Sequence, residues 1–409
     1  MPIDFALPPD VEELRLKVRT FMDAEVRPVA EGLQQNGADR RGYVEAIVKL
    51  RERAKSQGLW NPHLPAEWGG MGLGPTAMAF VSAEAARVGG IGPYILNAQA
   101  PDEGNMHTLY HWATPEQAEK YLRPLADGRA RSCFAMTEPE VSGSDPTLIQ
   151  TKAVRDGDDW IVNGHKWFIS GARGAQFAIL IACTNPDADP PQARNSAFIV
   201  DTPTEGWEIV RDVETMAGPA NHPEIRITDV RVPNDAMLGG RGEGHRLGQY
   251  RLGPARLAHC MRWIGNAEVA LEMLVDRALK RYAHGSLLAD KQAIQWMMSE
   301  SAIELYTAKL MVLHAAYLIE NEKPFRHEVS MAKVHVANTL WKIIDRAIQV
   351  HGALGYSTDT PLEGMMRNAR SARLVDGADE VHMQTIARGV IKTYQETGKT
   401  SGATGNLLT

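Results

Sequence analysis

Residues 133–145 read Cys-Phe-Ala-Met-Thr-Glu-Pro-Glu-Val-Ser-Gly-Ser-Asp, and residues 166–171 answer with Lys-Trp-Phe-Ile-Ser-Gly. The first stretch opens with a short apolar run, 133–136, of the kind a buried strand uses. It then turns at Pro139 into small and acidic residues. Ser142, Gly143 and Ser144 can bring backbone N–H groups and hydroxyls onto one anion, because no bulky side chain intervenes. Trp167 and Phe168 add flat aromatic surface beside the Ser170 hydroxyl. An anion cradle next to an aromatic wall suits a flavin dinucleotide, and a plain Ser/Gly turn between strands fits the same residues. Candidate acids cluster at Asp376-Gly-Ala-Asp379-Glu380, where Asp-Gly by itself reads as a turn or helix cap. His107 and His111 would share one helix face, but Thr108 stands where His-Glu-x-x-His needs its glutamate. No third ligand is near them, so no metal site is expected. Neither Gly-x-Gly-x-x-Gly after a strand nor Gly-x-x-x-x-Gly-Lys occurs.

These residues need elements to hold them. A chain of 409 residues is long enough for two or three domains with real cores. Up to about 130 it reads as helical: Val11, Leu14, Val18, Phe21 and Met22 recur at helical spacing, and a second helix is expected over 43–57. A Pro/Gly-rich loop follows at 59–73. From about 132 to 238 short β-rich runs (160–162, 177–183, 197–200, 207–210, 224–230) alternate with turns such as Asp156-Gly-Asp and the Asp/Pro stretch 185–191. That spacing predicts a small barrel or two packed sheets. Long helices return after Gly244; Ile294, Met297, Ser301, Leu305, Ala308, Val312, Ala315 and Ile319 form one stripe at steps of three and four. At about 1.5 Å per residue such a helix is roughly 40 Å long, the length of a bundle helix.

Composition narrows the function. The net charge of −6 argues against a basic nucleic-acid surface. Cys133, Cys183 and Cys260 are widely spaced and read as buried thiols of a reducing compartment. No apolar run approaches the length of a membrane span. Met-Pro-Ile-Asp-Phe at the start is no signal or transit peptide, and Asn-Leu-Leu-Thr at the end is no peroxisomal address, so a cytoplasmic protein is expected.

Met-Thr-Glu-Pro at 136–139, Gly-Ser-Asp at 143–145 and Asn-Gly-His-Lys-Trp-Phe-Ile-Ser-Gly at 163–171 resemble the central strand region of the acyl-CoA dehydrogenases, with further matches from about Leu14 to Arg388. The resemblance implies an α+β, mostly α fold: an N-terminal helical domain (1–130), a central β-barrel-like domain (131–240) and a C-terminal four-helix bundle (241–409). It also implies bound FAD. Phe134, Met136 and Thr137 would line the ring edge, with the Thr137 hydroxyl near N5. Gly143 and Ser144 would approach the pyrophosphate, Ser144 also lying near the CoA end of the substrate, on a turn one residue longer than the family's usual one. Phe168 takes the place of a flavin-facing tryptophan and brings no indole N–H; Ser170 takes that of a flavin-contacting Thr or Ser. Arg281, His284 (in place of a phenylalanine) and Gln292 match the stretch that holds the adenine end. Gln349 and Gly352 match a segment that reaches a neighbouring subunit's dinucleotide; Ala378 and Glu380 fall at flavin-contacting positions.

By the same resemblance Asp376 aligns with the glutamate that removes the substrate's α-proton, with Asp379 and Glu380 as rival acids. Leu374 and Val375 before it suggest an apolar slot, where desolvation would raise the carboxyl toward a working range. Gly377 and Arg256 match substrate-contacting positions. The segments 100–105, 251–262 and 376–382 are similar to the branch that acts on 4-hydroxyacyl-CoAs and is fused to a kinase-like domain in some organisms. The implied activity is α,β-dehydrogenation of an acyl-CoA by a homodimer or homotetramer, with electrons passed to an electron-transferring flavoprotein. The alternatives are an oxidase that uses O2 and a non-catalytic CoA- or flavin-binding relative.

Overall fold

The computed structural model describes residues 7–35, 40–218 and 222–404. The two ends read above for targeting, 1–5 and 406–409, lie outside them. Compactness divides the chain into two units, one of 64–70 and 97–255, the other of 1–63, 71–96 and 256–409.

The first unit is built on eight strands: β1 (Ser132–Ala135), β2 (Lys152–Asp156), β3 (Asp159–Lys166), β4 (Phe177–Cys183), β5 (Asn195–Asp201), β6 (Trp207–Asp212), β7 (Pro223–Pro233) and β8 (Met237–Leu238). Their order is β6-β7-β3-β2-β4-β5-β8, with β1 running parallel to β4. Every β4 residue is buried, and its alternation sorts them onto two faces. Ala178, Leu180 and Ala182 enter a cluster with Trp160, Val162, Phe198 and Ile225. Phe177, Ile179 and Ile181 enter another with Met106, Leu109, Tyr121 and Leu122. Burying each large side chain of this kind contributes about 1.5–3 kcal/mol. Met106 and Leu109 come from the helix Asp102–Trp112, which covers that face. The turn expected at 156–158 joins β2 to β3 through Gly157 and Asp158, and the Asp/Pro stretch 185–191 lies at the β4–β5 hairpin end.

The second unit is helical. A long N-terminal helix runs as Pro9–Phe21, a widened turn at Met22–Val26, and Arg27–Gln35. Arg19 anchors it by two contacts, 2.6 and 2.9 Å, to Glu84 of the helix Pro75–Ala86. The second expected helix spans Arg40–Ser56. Gln292–Glu320 and Arg326–His351 form an antiparallel pair, tied by Arg346 to Glu304 (2.6 Å) and Glu300 (2.9 Å) and by Thr307 to His335 (3.0 Å). Arg326–His351 is central, packing also against Leu362–Ser371 and Asp379–Thr397. The expected stripe is buried at Ser301, Leu305, Ala308, Val312 and Ala315, whereas Ile294, Met297 and Ile319 near its ends are only half-buried. Gln292–Glu320 is long and apolar enough by composition to cross a membrane, which the sequence reading did not anticipate. Here it packs against Pro75–Ala86 and Arg326–His351.

The division between the units falls inside one helix, Gly244–Lys280, next to its internal Pro254. Proline offers no N–H to the helix ladder.

Candidate active site

In the sheet unit the two motif stretches are stitched to each other as they leave β1 and β3. The Thr137 hydroxyl donates to the Trp167 carbonyl (2.7 Å), and the Trp167 N–H donates to the Thr137 carbonyl (3.1 Å). Beneath them lies an ion pair that sequence reasoning missed. Lys166, fully buried, donates to the Met136 carbonyl (2.8 Å) and to Glu138 Oε1 (2.9 Å). Glu138, also buried, accepts in addition from the backbone N–H groups of Gln150 (2.7 Å) and Thr151 (2.9 Å) and from the Thr151 hydroxyl (2.6 Å). Burial pulls the Lys166 ammonium down to about 8. Burial also opposes ionisation of Glu138, but Lys166 and these donors outweigh it and hold its carboxyl below the ordinary range. Both groups are therefore charged at neutral pH.

The turn 139–145 is held at its base, where Glu140 lies 2.6 Å from His165 Nδ1 and His165 Nε2 lies 2.9 Å from Glu224. A Cβ at Gly143 would sit 3.4 Å from Thr137 Cγ2, so the turn folds back over that threonine. Ser142, Gly143 and Ser144 are exposed, and neither their hydroxyls nor their N–H groups have a partner among the described residues. Phe168 is 44 % exposed and sits at φ +53°, between Trp167 and His222. A bulky residue there is strained, and such strain concentrates at functional sites. Ser170 Oγ pairs with His222 Nδ1 at 2.8 Å. Phe134 lies under the guanidinium of Arg251, 4.2 Å from ring centre to Cζ, and Arg251 Nε donates to Asn105 (2.9 Å). Two of the three branch-marking segments are thus bonded to each other beside a predicted ring-edge residue.

In the helical unit Asp376 also sits at φ +53°, followed by Gly377 at φ +108°. A side chain at Gly377 would meet His382 Nε2 at 2.8 Å, so only glycine fits. Both carbonyls of this corner are clamped by cations: Arg256 Nε donates to that of Asp376 and Lys333 Nζ to that of Gly377, each at 2.7 Å. His259 Nε2 lies 3.3 Å from Asp376 Oδ2. Burial lowers both Arg256 and Lys333 from their ordinary values, and burial with the nearby Arg256 and Lys333 charges brings His382 to about 4, keeping it neutral. The apolar slot expected from Leu374 and Val375 is not formed by them: both are exposed, and the groups gathered around Asp376 are basic. The turn 371–375 leads out of the helix Leu362–Ser371 and carries these two side chains to the surface.

Of the rival acids, Asp379 is buried and committed, accepting from Arg373 Nε (2.7 Å) and Asn338 (3.0 Å). Glu380 is exposed in the first turn of Asp379–Thr397, which Ala378 caps. Arg281 precedes a two-stranded hairpin, Tyr282–Ala283 with Ser286–Leu287, whose turn holds His284 at φ +50°. Gln292 starts the next helix. Gln349 and Gly352 (φ +64°, ψ −140°) close the antiparallel partner helix, so they share one end of the pair with Gln292. Arg281, Gln292, Gln349 and Gly352 are all exposed. His107 and His111 lie on the helix Asp102–Trp112, where His111 meets Tyr110 and Tyr250 edge-on. Among the described residues no three His, Cys, Asp or Glu side chains are grouped to hold a metal.

Comparison with known proteins spans nearly the whole chain. Residues 8–129, 133–230 and 242–391 match, in order, the N-terminal, middle and C-terminal domains of acyl-CoA dehydrogenase. FadE2 of Mycobacterium tuberculosis, named as an acyl-CoA dehydrogenase, is 41 % identical over 358 residues, covering 86 % of this chain and 87 % of its own. Acyl-CoA dehydrogenase family member 11 of Gallus gallus is 37 % identical over 391 residues, which is 92 % of this chain but 50 % of that protein. The chain thus spans about half the length of this vertebrate relative. A solved structure described as an acyl-CoA dehydrogenase of Mycobacterium abscessus superposes with a TM-score of 0.89 at 36 % identity, over 95 % of this chain and 100 % of the other. With three consecutive domain matches and close likeness along nearly its whole length, the chain belongs to the acyl-CoA dehydrogenase family.

Proposed function

We propose that this enzyme removes the α-proton of an acyl-CoA thioester with Asp376 and oxidises the Cα–Cβ bond against bound FAD. The single observation that carries the reading is the corner at 376–377. There a strained aspartate is followed by an obligate glycine, and both backbone carbonyls are fixed by cations, the half-buried Arg256 and the buried Lys333. Such over-determination is needed to hold a side chain in a sparsely populated conformation, and it supports a catalytic role. The positive charges of Arg256 and Lys333 interact with Asp376 and favour the carboxylate, the form that accepts a proton.

The residues present fit the dinucleotide. Unpartnered N–H groups at Ser142, Gly143 and Ser144 suit a pyrophosphate, and the strained, half-exposed Phe168 suits a ring face. Phe134, Met136, Thr137 and Ser170 would hold the ring; Gly143 and Ser144 the pyrophosphate; Arg281, His284, Gln292, Gln349 and Gly352 the adenine half of a dinucleotide shared between subunits of a dimer or tetramer. Ala378 and Glu380 would flank it beside the base. Bound FAD supplies the acceptor for the β-hydride. Ser144, Arg256 and Gly377 would contact the thioester. Electrons would pass onward to an electron-transferring flavoprotein, and the three buried thiols suit a reducing, cytoplasmic setting.

The test is anaerobic titration of the purified yellow protein with acyl-CoAs, following flavin absorbance in wild type and Asp376→Asn. The reading requires bleaching by at least one thioester and loss of that bleaching in the variant. Colourless protein that cannot be reconstituted with FAD would sink it.

A further inference from the structure

We propose that His222 is a positioning residue for the flavin, holding the Ser170 hydroxyl in a pairing that lets it either give or take a hydrogen bond at the ring. This rests on Ser170 being a ring contact of bound FAD.

Within the sheet unit, each residue of the segment 168–170 is docked onto 222–223. The Phe168 ring lies beside that of His222, with centroids 6.2 Å apart. The Ile169 N–H donates to the Pro223 carbonyl (3.0 Å), and Ser170 Oγ pairs with His222 Nδ1 at 2.8 Å. His222 is itself held by its backbone. It stands immediately before β7, and its carbonyl accepts from the N–H of Val213 (3.1 Å), the residue that follows β6. Ser170 and His222 are both half-buried, so the pair is neither sealed in the core nor open surface. A serine hydroxyl turns to suit whatever partner it finds, and here His222 limits that rotation.

An imidazole is an apt partner for this purpose. Burial, opposed by the charge of Asp212, holds His222 below its ordinary 6.5, so at neutral pH the ring carries one N–H and one lone pair. Its Nδ1 can donate to Ser170 or accept from it, according to tautomer. When Nδ1 donates, the hydroxyl hydrogen is left for an acceptor on the ligand. When Nδ1 accepts, a lone pair of Oγ is left for a donor. Two-electron reduction turns a flavin ring nitrogen from an acceptor into an N–H donor, and the pair can serve both forms. The exchange moves one proton of His222 from Nδ1 to Nε2 through solvent, and the pair as a whole neither gains nor loses one.

The test titrates full-length apoprotein with FAD, following the quenching of flavin fluorescence, and measures the reduction potential of the reconstituted protein. His222→Leu is expected to weaken FAD binding about 3–10-fold, the usual worth of one neutral hydrogen bond. The potential should stay at the wild-type value, because both redox forms lose the same support. His222→Asn, whose amide offers a donor or an acceptor near the Nδ1 position, should restore most of the affinity. In a Ser170→Ala background His222→Leu should change nothing further. Wild-type affinity in His222→Leu, no rescue by His222→Asn, or an equal fall in the Ser170→Ala background would overturn the proposal. So would a potential that shifts with the affinity, since His222 would then serve one redox form alone. Wild-type affinity in Ser170→Ala would remove the ring contact and this inference with it, whereas apoprotein that takes up no FAD refutes the FAD reading itself.

Discussion

Replacing Lys166 by Met removes one charge from the buried pair under the 137/167 junction and leaves the other behind. Lys166 and Glu138 are 0 % and 2 % exposed, so the remaining carboxylate has no route to water. It keeps its three donors from Gln150 and Thr151 but loses its counter-charge. Breaking a buried pair in this way costs about 3–5 kcal/mol. For a cooperative unit of this size that is on the order of 10 °C in Tm. The double change Lys166→Met, Glu138→Gln removes both charges and should recover a large part of the loss. Thermal and urea unfolding of the flavin-free protein, followed through the buried Trp160 of the same unit, measure both variants. The pH dependence is a second check. Glu138 is held below its ordinary 4.5, so its contribution is complete above that value and is lost as pH falls through the lowered one. Lys166 is lowered from 10.5 to about 8, so between those values the unfolded chain binds the extra proton and this group favours the native state increasingly as pH rises. Lys166→Met should abolish that alkaline component. A single variant within about 1 kcal/mol of wild type, or a double variant weaker than the single, would refute the reasoning.

Four further outcomes are expected. Asp376→Asn should lower flavin reduction by roughly 10²–10⁴-fold without loss of FAD, with Asp376→Glu between it and wild type, measured by stopped-flow bleaching; wild-type bleaching would move the assignment to Glu380. Phe168→Gly should be more stable than Phe168→Ala by about 1 kcal/mol, because glycine accepts φ +53° without strain, while both retain FAD less well; equal stability in denaturant melts would show the conformation is unstrained. Arg281→Ala should weaken FAD retention and the oligomer together, seen by absorbance across a gel-filtration peak, and a fully active monomeric wild type would contradict this. In a panel of thioesters, those bearing oxygen or phosphate at C4 should be turned over faster than plain fatty acyl-CoAs; equal rates would separate the 105–251 contact from substrate choice.

The parts of the fold and of the candidate site most legible in the sequence are those that local chemistry dictates. The all-apolar run of β4 has one good structural use, a buried strand, whereas the small-residue turn at 142–144 admits two readings and Gly377 stands out only through the family resemblance. Strand β2 was missed because only Ala153 of its five residues is buried, so no alternation marks it. The Glu138–Lys166 pair was missed because 28 residues separate partners that are each unremarkable alone, though a charge at the end of an apolar strand pattern was a usable signal. His259 and Asp376 are farther apart still, and nothing on a helix face announces a partner more than a hundred residues on. The slot drawn from Leu374 and Val375 failed because neighbours in sequence within a turn need not share surroundings.

The helix Gly244–Lys280 has a practical consequence for anyone dissecting the chain. The matched domains break between 230 and 242, which invites a cut before this helix to isolate the sheet. Its first turns nevertheless belong to the sheet: Leu247 is wholly buried in a sheet-side cluster, Gly244 abuts the backbone of Ser196, and Arg251 reaches Asn105. A fragment ending at 240 would expose that cluster to water and strip Asn105 of its guanidinium, favouring insoluble product. One ending just past Pro254, where the backbone ladder is already interrupted, keeps these contacts and is the better candidate for expression on its own.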